Sequence, residues 1–183
     1  ILIVSNPEEL LPTIRSRCQP IRFHRLAAEV IEEHLRTAGQ CTPEVARSVS
    51  CLAQGSVSQA MGLAAQWETY RRLMGQFAAA APLQWLQWEV PTDREELSQW
   101  LSGAILWLRD VAVASVADDA LIGHREAMAP IRQQAQSWDR ERCVEAALGF
   151  IELQESLKEQ FISPRLIGTL MRERWLELLE VVS

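Results

Sequence analysis

Arg15-Ser16-Arg17-Cys18 places two guanidinium groups beside a hydroxyl and a thiol within four residues. A guanidinium is planar and permanently charged, and it matches phosphate oxygens. A turn that presents one can stabilise the negative charge a phosphoryl group spreads over its oxygens during transfer. The 183 residues contain no G-x-x-x-x-G-K-[ST] loop and no acidic strand end for magnesium, so ATP binding and hydrolysis by this chain alone are not expected. Cys18, Cys41, Cys51 and Cys143 form no C-x-x-C pair, and none lies at zinc-finger spacing from His24, His34 or His124. Buried structural thiols are therefore expected, and no metal site. Cys18 has no His base in reach along the chain and reads as a small buried hydrophobe rather than a nucleophile. Asp118-Asp119 reads as loop, not as a carboxylate pair.

The elements that carry these residues are expected to be helical. Apolar residues make up 48% and charged residues 23%, with only 8 Gly and 8 Pro, a balance that excludes general disorder and favours helix. The net charge of −6 argues against a chain that binds nucleic acid or anionic membranes over its whole surface. Residues 1–26 are the exception. Arg15, Arg17, Arg22 and Arg25 against Glu8 and Glu9 give this piece +2 and leave −8 on the rest.

Ile1-Leu2-Ile3-Val4 is too short to span a bilayer. It reads as a doubly covered parallel strand whose partners are missing, and the expectation is therefore a fragment cut at the last strand of an α/β domain. Asn6, Pro7 and Glu9 predict a capped helix start, and Pro12 either limits it to a short first turn or restarts the helix. Pro20 to His24 alternates like a short edge strand. From Ala27 the period becomes helical. Val30, Ile31, His34 and Leu35 predict one helix face, Thr42-Pro43-Glu44 opens a second helix, and Ser56 with Gln59 caps a third after Gly55. A helix follows from Trp67 to about Ala80, ahead of Pro82. Thr92, with Glu95, is expected to cap a long helix striped by Leu97, Leu101, Ala104, Ile105, Leu108, Val111 and Ala112. Asp118 to Pro130 reads as loop or short helix. Asp139 to Phe161 reads as a further helix, with Ala147, Phe150, Ile151, Leu157 and Phe161 on one side, and Ser163-Pro164 starts the last. Seven Trp at helical spacings predict bundle core and subunit interface rather than a stack for single-stranded DNA.

The run Ser5-Asn6-Pro7-Glu8-Glu9-Leu10-Leu11-Pro12-Thr13-Ile14-Arg15-Ser16-Arg17-Cys18 resembles, without a gap, the segment of bacterial DNA polymerase III clamp-loader AAA+ proteins that joins the sensor-1 strand to the Ser-Arg-Cys motif. Gly55-Ser56-x-x-x-Ala60 is similar to the start of the sensor-2 helix in their lid. Motor (gamma/tau) subunits carry an Arg two residues after the Gly-Ser pair. Ser58 stands there in this chain, as in the non-motor delta-prime subunits, which also keep the Ser-Arg-Cys motif.

The resemblance implies an all-α chain with a short β-strand/turn remnant of the AAA+ domain at residues 1–26. A three-helix lid over 27–66 and a helical-bundle collar over 67–183 would follow. It implies Arg17 as an arginine finger acting in trans, supported by Ser16 and Cys18. Ser5 and Asn6 would stand at the sensor-1 position and Ser56 and Ser58 at the sensor-2 position. No cofactor is implied for this chain, and neighbouring motor subunits would hold ATP and magnesium. Expected partners are the motor and delta subunits through the collar, with the sliding clamp and primer-template DNA reached through the complex. The expected role is clamp loading in the cytoplasm without intrinsic enzymatic activity. Two other readings remain open: the C-terminal part of a gamma/tau-type ATPase, and an unrelated helical interaction scaffold.

Overall fold

The computed structural model describes residues 1–4, 7–39, 41–79 and 85–180. Among them the regular structure is helical throughout, with no strand. The basic arm begins without regular structure, passes a 3-10 turn at Pro7–Glu9, and forms the single-turn helix α1 (Pro12–Arg15). Pro12 restarts the helix as expected, because the amide it lacks is one that a first turn leaves unpaired anyway. Neither expected strand is present. Residues 1–4 and 20–24 have no regular structure, and Ile1, Ile3, Ile21 and Phe23 are exposed. A strand must pair its backbone N–H and C=O groups with a neighbour, and the described residues offer neither segment one.

Helices α2 (Ala28–Thr37), α3 (Pro43–Leu52) and α4 (Val57–Ala65) pack on one another. Thr42 and Ser56 act as the expected N-caps. Thr42 Oγ1 accepts the Val45 N–H at 3.5 Å, and Ser56 Oγ accepts the Gln59 N–H at 3.3 Å. On α2 only Ile31 and Leu35 are buried, whereas Val30 and His34 are exposed, so the expected stripe narrows to one i, i+4 line. That line is the side of α2 turned toward α3 and α4.

Helix α5 (Trp67–Ala79) follows, with Ala80 and Pro82 outside the described residues. The central element is α6 (Arg94–Ala114), against which α5, α7 (Met128–Ser137), α8 (Arg140–Lys158) and α9 (Pro164–Glu180) all pack. Its cap is Asp93, whose carboxylate accepts the Glu96 N–H at 2.9 Å, one residue beyond the expected Thr92. An anion is a better partner than a hydroxyl for the unpaired amides at a helix start. Asp139 caps α8 the same way, accepting from the Arg142 N–H at 2.9 Å.

The stretch from Asp118 to Pro130, expected as loop or short helix, contains 3-10 turns at Asp119–Leu121 and Arg125–Ala127 and the start of α7. Pro130 falls in the first turn of α7, where its missing N–H breaks no helical bond. Arg94 donates to the carbonyls of Leu157, Glu159 and Ile162, which ties the start of α6 to the end of α8.

The α6 stripe is buried as expected apart from half-buried Ile105. Six of the seven Trp are buried, so they form core; Trp88 is half-buried. Phe77 lies among Trp85, Trp100 and Trp175 with ring centroids 5.8, 5.6 and 5.0 Å away, separations at which aromatic pairs attract beyond area burial alone. On α8, Phe150 and Leu157 are buried but Ile151 is exposed, and the helix ends at Lys158, so exposed Phe161 lies beyond it; both correct the expected apolar side. Among the described residues no helix is long and apolar enough to cross a membrane.

Candidate functional site

The Ser-Arg-Cys residues form the turn that ends α1. Backbone amides of Ser16, Arg17 and Cys18 bond back to the carbonyls of Pro12, Ile14 and Arg15 at 3.0, 3.1 and 3.3 Å. Ser16 Oγ donates to the Thr13 carbonyl at 3.3 Å, so this side chain closes the turn. The two arginines differ. Arg15 Nη1 donates to Glu8 Oε2 at 2.6 Å, while Arg17 is exposed and makes no ion pair among the described residues. Cys18 is exposed, which corrects the expectation of a buried thiol: the arm has no core for it to enter. Ser5 and Asn6 lie outside the described residues, as does the side chain of Glu9.

The arm meets the body at Leu26, whose N–H donates to the Gly55 carbonyl at 3.0 Å. Gly55 has φ +86°, and a Cβ there would stand 2.5 Å from Arg25 Cβ and 3.0 Å from the Leu26 nitrogen. Only glycine suits both the left-handed backbone and the crossing chain. Ser56 is spent on capping α4, and Ser58 is exposed. No hydrogen bond or ion pair joins the Ser16–Cys18 turn to Ser56 or Ser58 among the described residues.

Between α4, α5 and α6 lies an open cleft of about 400 Å³. Leu63, Leu73 and Ile105 line it with the neutral polar side chains of Gln59, Gln99 and Gln154. Its lining contains Glu95 but no Lys or Arg, so it offers no charge to hold a nucleotide phosphate.

A buried polar chain was not legible in the sequence. Asp110 is fully buried on the inner side of α6, between Leu108 and Val111. Its Oδ2 accepts from the backbone N–H of His124 at 2.8 Å and lies 2.7 Å from His124 Nδ1. Its Oδ1 accepts from Arg109 Nε at 2.9 Å and Nη2 at 2.5 Å. A carboxylate only accepts, so Nδ1 carries the proton. Nε2, on the other side of the ring, lies 2.7 Å from Tyr70 Oη, within hydrogen-bond distance. Each of the four side chains Tyr70, His124, Asp110 and Arg109 thus lies within hydrogen-bond distance of the next. Burial works to raise the Asp110 carboxyl, but the His124 hydrogen bonds and the Arg109 charge outweigh it and hold the group below the ordinary carboxylate value. Burial, with the Asp110 charge, pushes the Tyr70 hydroxyl far up. The chain resembles a nucleophile relay in order only: Tyr70 is buried and its proton is held firmly. It joins α5, α6 and the 122–126 loop.

Cys143 is pushed up to about 12 by burial and by Asp139, and burial raises Cys41, so neither is an activated thiol at neutral pH. Among the described residues no group of three or more His, Cys, Asp or Glu could hold a metal ion. Comparison with family models, curated proteins and solved structures finds no match for the chain.

Proposed function

We propose that this chain is a non-catalytic assembly subunit similar to the delta-prime component of bacterial clamp loaders. In that role it presents Arg17 as an arginine finger to a nucleotide held by a neighbouring motor subunit, and so contributes to loading the sliding clamp on primed DNA. The observation that carries the reading is the division between the two motif arginines. Arg15 is engaged by Glu8, whereas Arg17 projects exposed from a hydrogen-bonded turn at the end of an arm that touches the body at Leu26 and Gly55. A cation held outside the core on a hydrogen-bonded turn suits action on another subunit's phosphates. Residues 27–66 serve as the lid and 67–183 as the collar that binds motor and delta subunits.

In a loader reconstituted with the motor subunits, Arg17→Ala should lower DNA-stimulated ATP turnover at least about tenfold while the complex still assembles. Arg15→Ala should leave turnover within about twofold, since an exposed pair contributes little. Equal turnover by wild type and Arg17→Ala would remove the finger.

A second reading, a helical interaction scaffold unrelated to clamp loaders, is favoured by one observation: residues 1–4 form no strand. It predicts no complex with motor subunits.

A further inference from the structure

Gly62 stands in the interior of α4, where glycine is among the poorest helix formers. Neither backbone nor packing requires it there: its φ is not positive, and a Cβ would meet no atom within 4 Å. What lies beside it is the open cleft of about 400 Å³ between α4, α5 and α6. The same cleft accounts for Ile105, the member of the α6 stripe that stays half-buried. Leu63, Leu73 and Ile105 give the cleft an aliphatic surface. Among the described lining residues Tyr70 is the one ring, and it is already stacked on Trp67 and His124 with centroids 5.9 and 5.8 Å away. Gln99 and Gln154 are half-buried in the wall. Gln154 Nε2 donates to Ser102 Oγ at 2.7 Å, and that hydroxyl donates to the Ser98 carbonyl at 2.8 Å, so the Gln154 amide is held in place. Neither Gln154 Oε1 nor the Gln99 amide is engaged by another of the described residues.

We propose that this cleft binds a small uncharged molecule that carries an amide edge on a branched aliphatic body. Its volume lies in the lower part of the range of small-molecule sites, about 300–1,000 Å³. Charge and chemistry choose the ligand. The lining has Glu95 but no Lys or Arg, so a phosphate or carboxylate would leave water without a counter-ion. A nucleobase or sugar would find no free ring face to stack on. An aliphatic body gains by burial against Leu63, Leu73 and Ile105. A side-chain amide offers both donors and an acceptor, the groups that pair with another amide, so Gln99 and Gln154 fix the orientation. The proposal does not depend on the role of Arg17, which does not line the cleft.

The test is an NMR titration of the full chain with N-acetyl-leucinamide, an uncharged probe with one branched side chain and two amides. Saturable shifts are expected at the Gly62 backbone amide and the Gln99 and Gln154 side-chain amides, with a Kd of about 1 mM, the affinity a ligand of this size can reach. N-acetyl-leucine, which has a carboxylate in place of the terminal amide, should bind at least about tenfold more weakly. Gly62→Leu should abolish binding without lowering Tm, because the new side chain enters open space and leucine favours the helix. Gly75→Leu is the matched control: a Cβ there also meets nothing within 4 Å, and Gly75 does not line the cleft, so affinity should be unchanged. Gln154→Leu should weaken binding at least about fivefold. No saturable shift up to about 20 mM in the folded wild-type chain would overturn the proposal. So would equal binding of N-acetyl-leucine, or wild-type affinity in Gly62→Leu. A blocked alanyl-leucyl-alanine amide that binds at least about tenfold tighter than N-acetyl-leucinamide would also overturn it, by making the cleft a groove for a peptide chain.

Discussion

At the level of single residues, the two polar constellations differ in how much of them the chain order reveals. Arg15-Ser16-Arg17-Cys18 is contiguous, so its candidate chemistry is legible at once, but which arginine is engaged is not. That depends on Glu8 seven positions upstream, whose reach follows from the turn at Pro7–Glu9 and the restart at Pro12. The Asp110 network is the reverse case. A carboxylate between Leu108 and Val111 on an apolar stripe is itself a signal, because a buried charge demands partners. Its partners Tyr70 and His124 lie 40 and 14 residues away in different elements, and no local spacing announces them. The network predicts a pH dependence. The Asp110 carboxyl lies lower in the folded chain than its unfolded value of about 3.9. The stability it adds is therefore complete above that value and is lost as pH falls through the folded-state value. In urea unfolding, Asp110→Asn should cost about 2 kcal/mol or more at pH 7, and Tyr70→Phe about 1–2 kcal/mol. The Asp110→Asn gap should narrow below about pH 4. A gap that stays constant from neutral to acid pH would show that the ionised carboxylate is not what the site stabilises.

Helices were largely readable from their period, because each buries a stripe that the 3.6-residue repeat makes visible. What the period does not give is where an element begins or which side its neighbours cover. Thr92 and Asp93 are both good cap residues, and the choice between them depends on the register in which α6 enters the bundle. Pro130 reads as a stop unless it falls in a first turn, and that again depends on where α7 starts. Ile1–Val4 carries the pattern of a buried strand, yet a strand is a property of two segments, and a pattern cannot supply the second. Cap assignment makes a direct prediction. Asp93→Ala and Asp139→Ala should each lower unfolding free energy by about 1 kcal/mol. Thr92→Ala should stay within about 0.5 kcal/mol of wild type. A larger loss at Thr92 than at Asp93 in denaturant titrations would move the start of α6.

Across the whole molecule, one apolar core runs from Ile31 in α2 to Leu179 in α9, and none of the described residues of 1–26 belongs to it. The 27–66 helices are not isolated from the bundle. Ser48 Oγ lies 3.1 Å from Glu126 Oε1, and a Cβ at Gly123 would stand 2.7 Å from Leu52 Cδ2, so α3 and the 122–126 loop are in close contact. Deleting residues 1–25 should therefore move Tm by no more than about 4 °C and leave a single cooperative transition. A broad or split melt would mean that the arm supports the core. The same deletion should keep binding to a motor subunit and abolish stimulation of its ATP turnover. The central claim is that a projecting guanidinium serves a triphosphate bound elsewhere. Its most direct measurement is the structure of the chain assembled with motor subunits and a non-hydrolysable ATP analogue. The account predicts the Arg17 guanidinium within hydrogen-bond distance of the terminal phosphate of the neighbouring subunit, about 3 Å. An Arg17 side chain turned to solvent, with that phosphate contacted only by residues of the motor subunit, would contradict it.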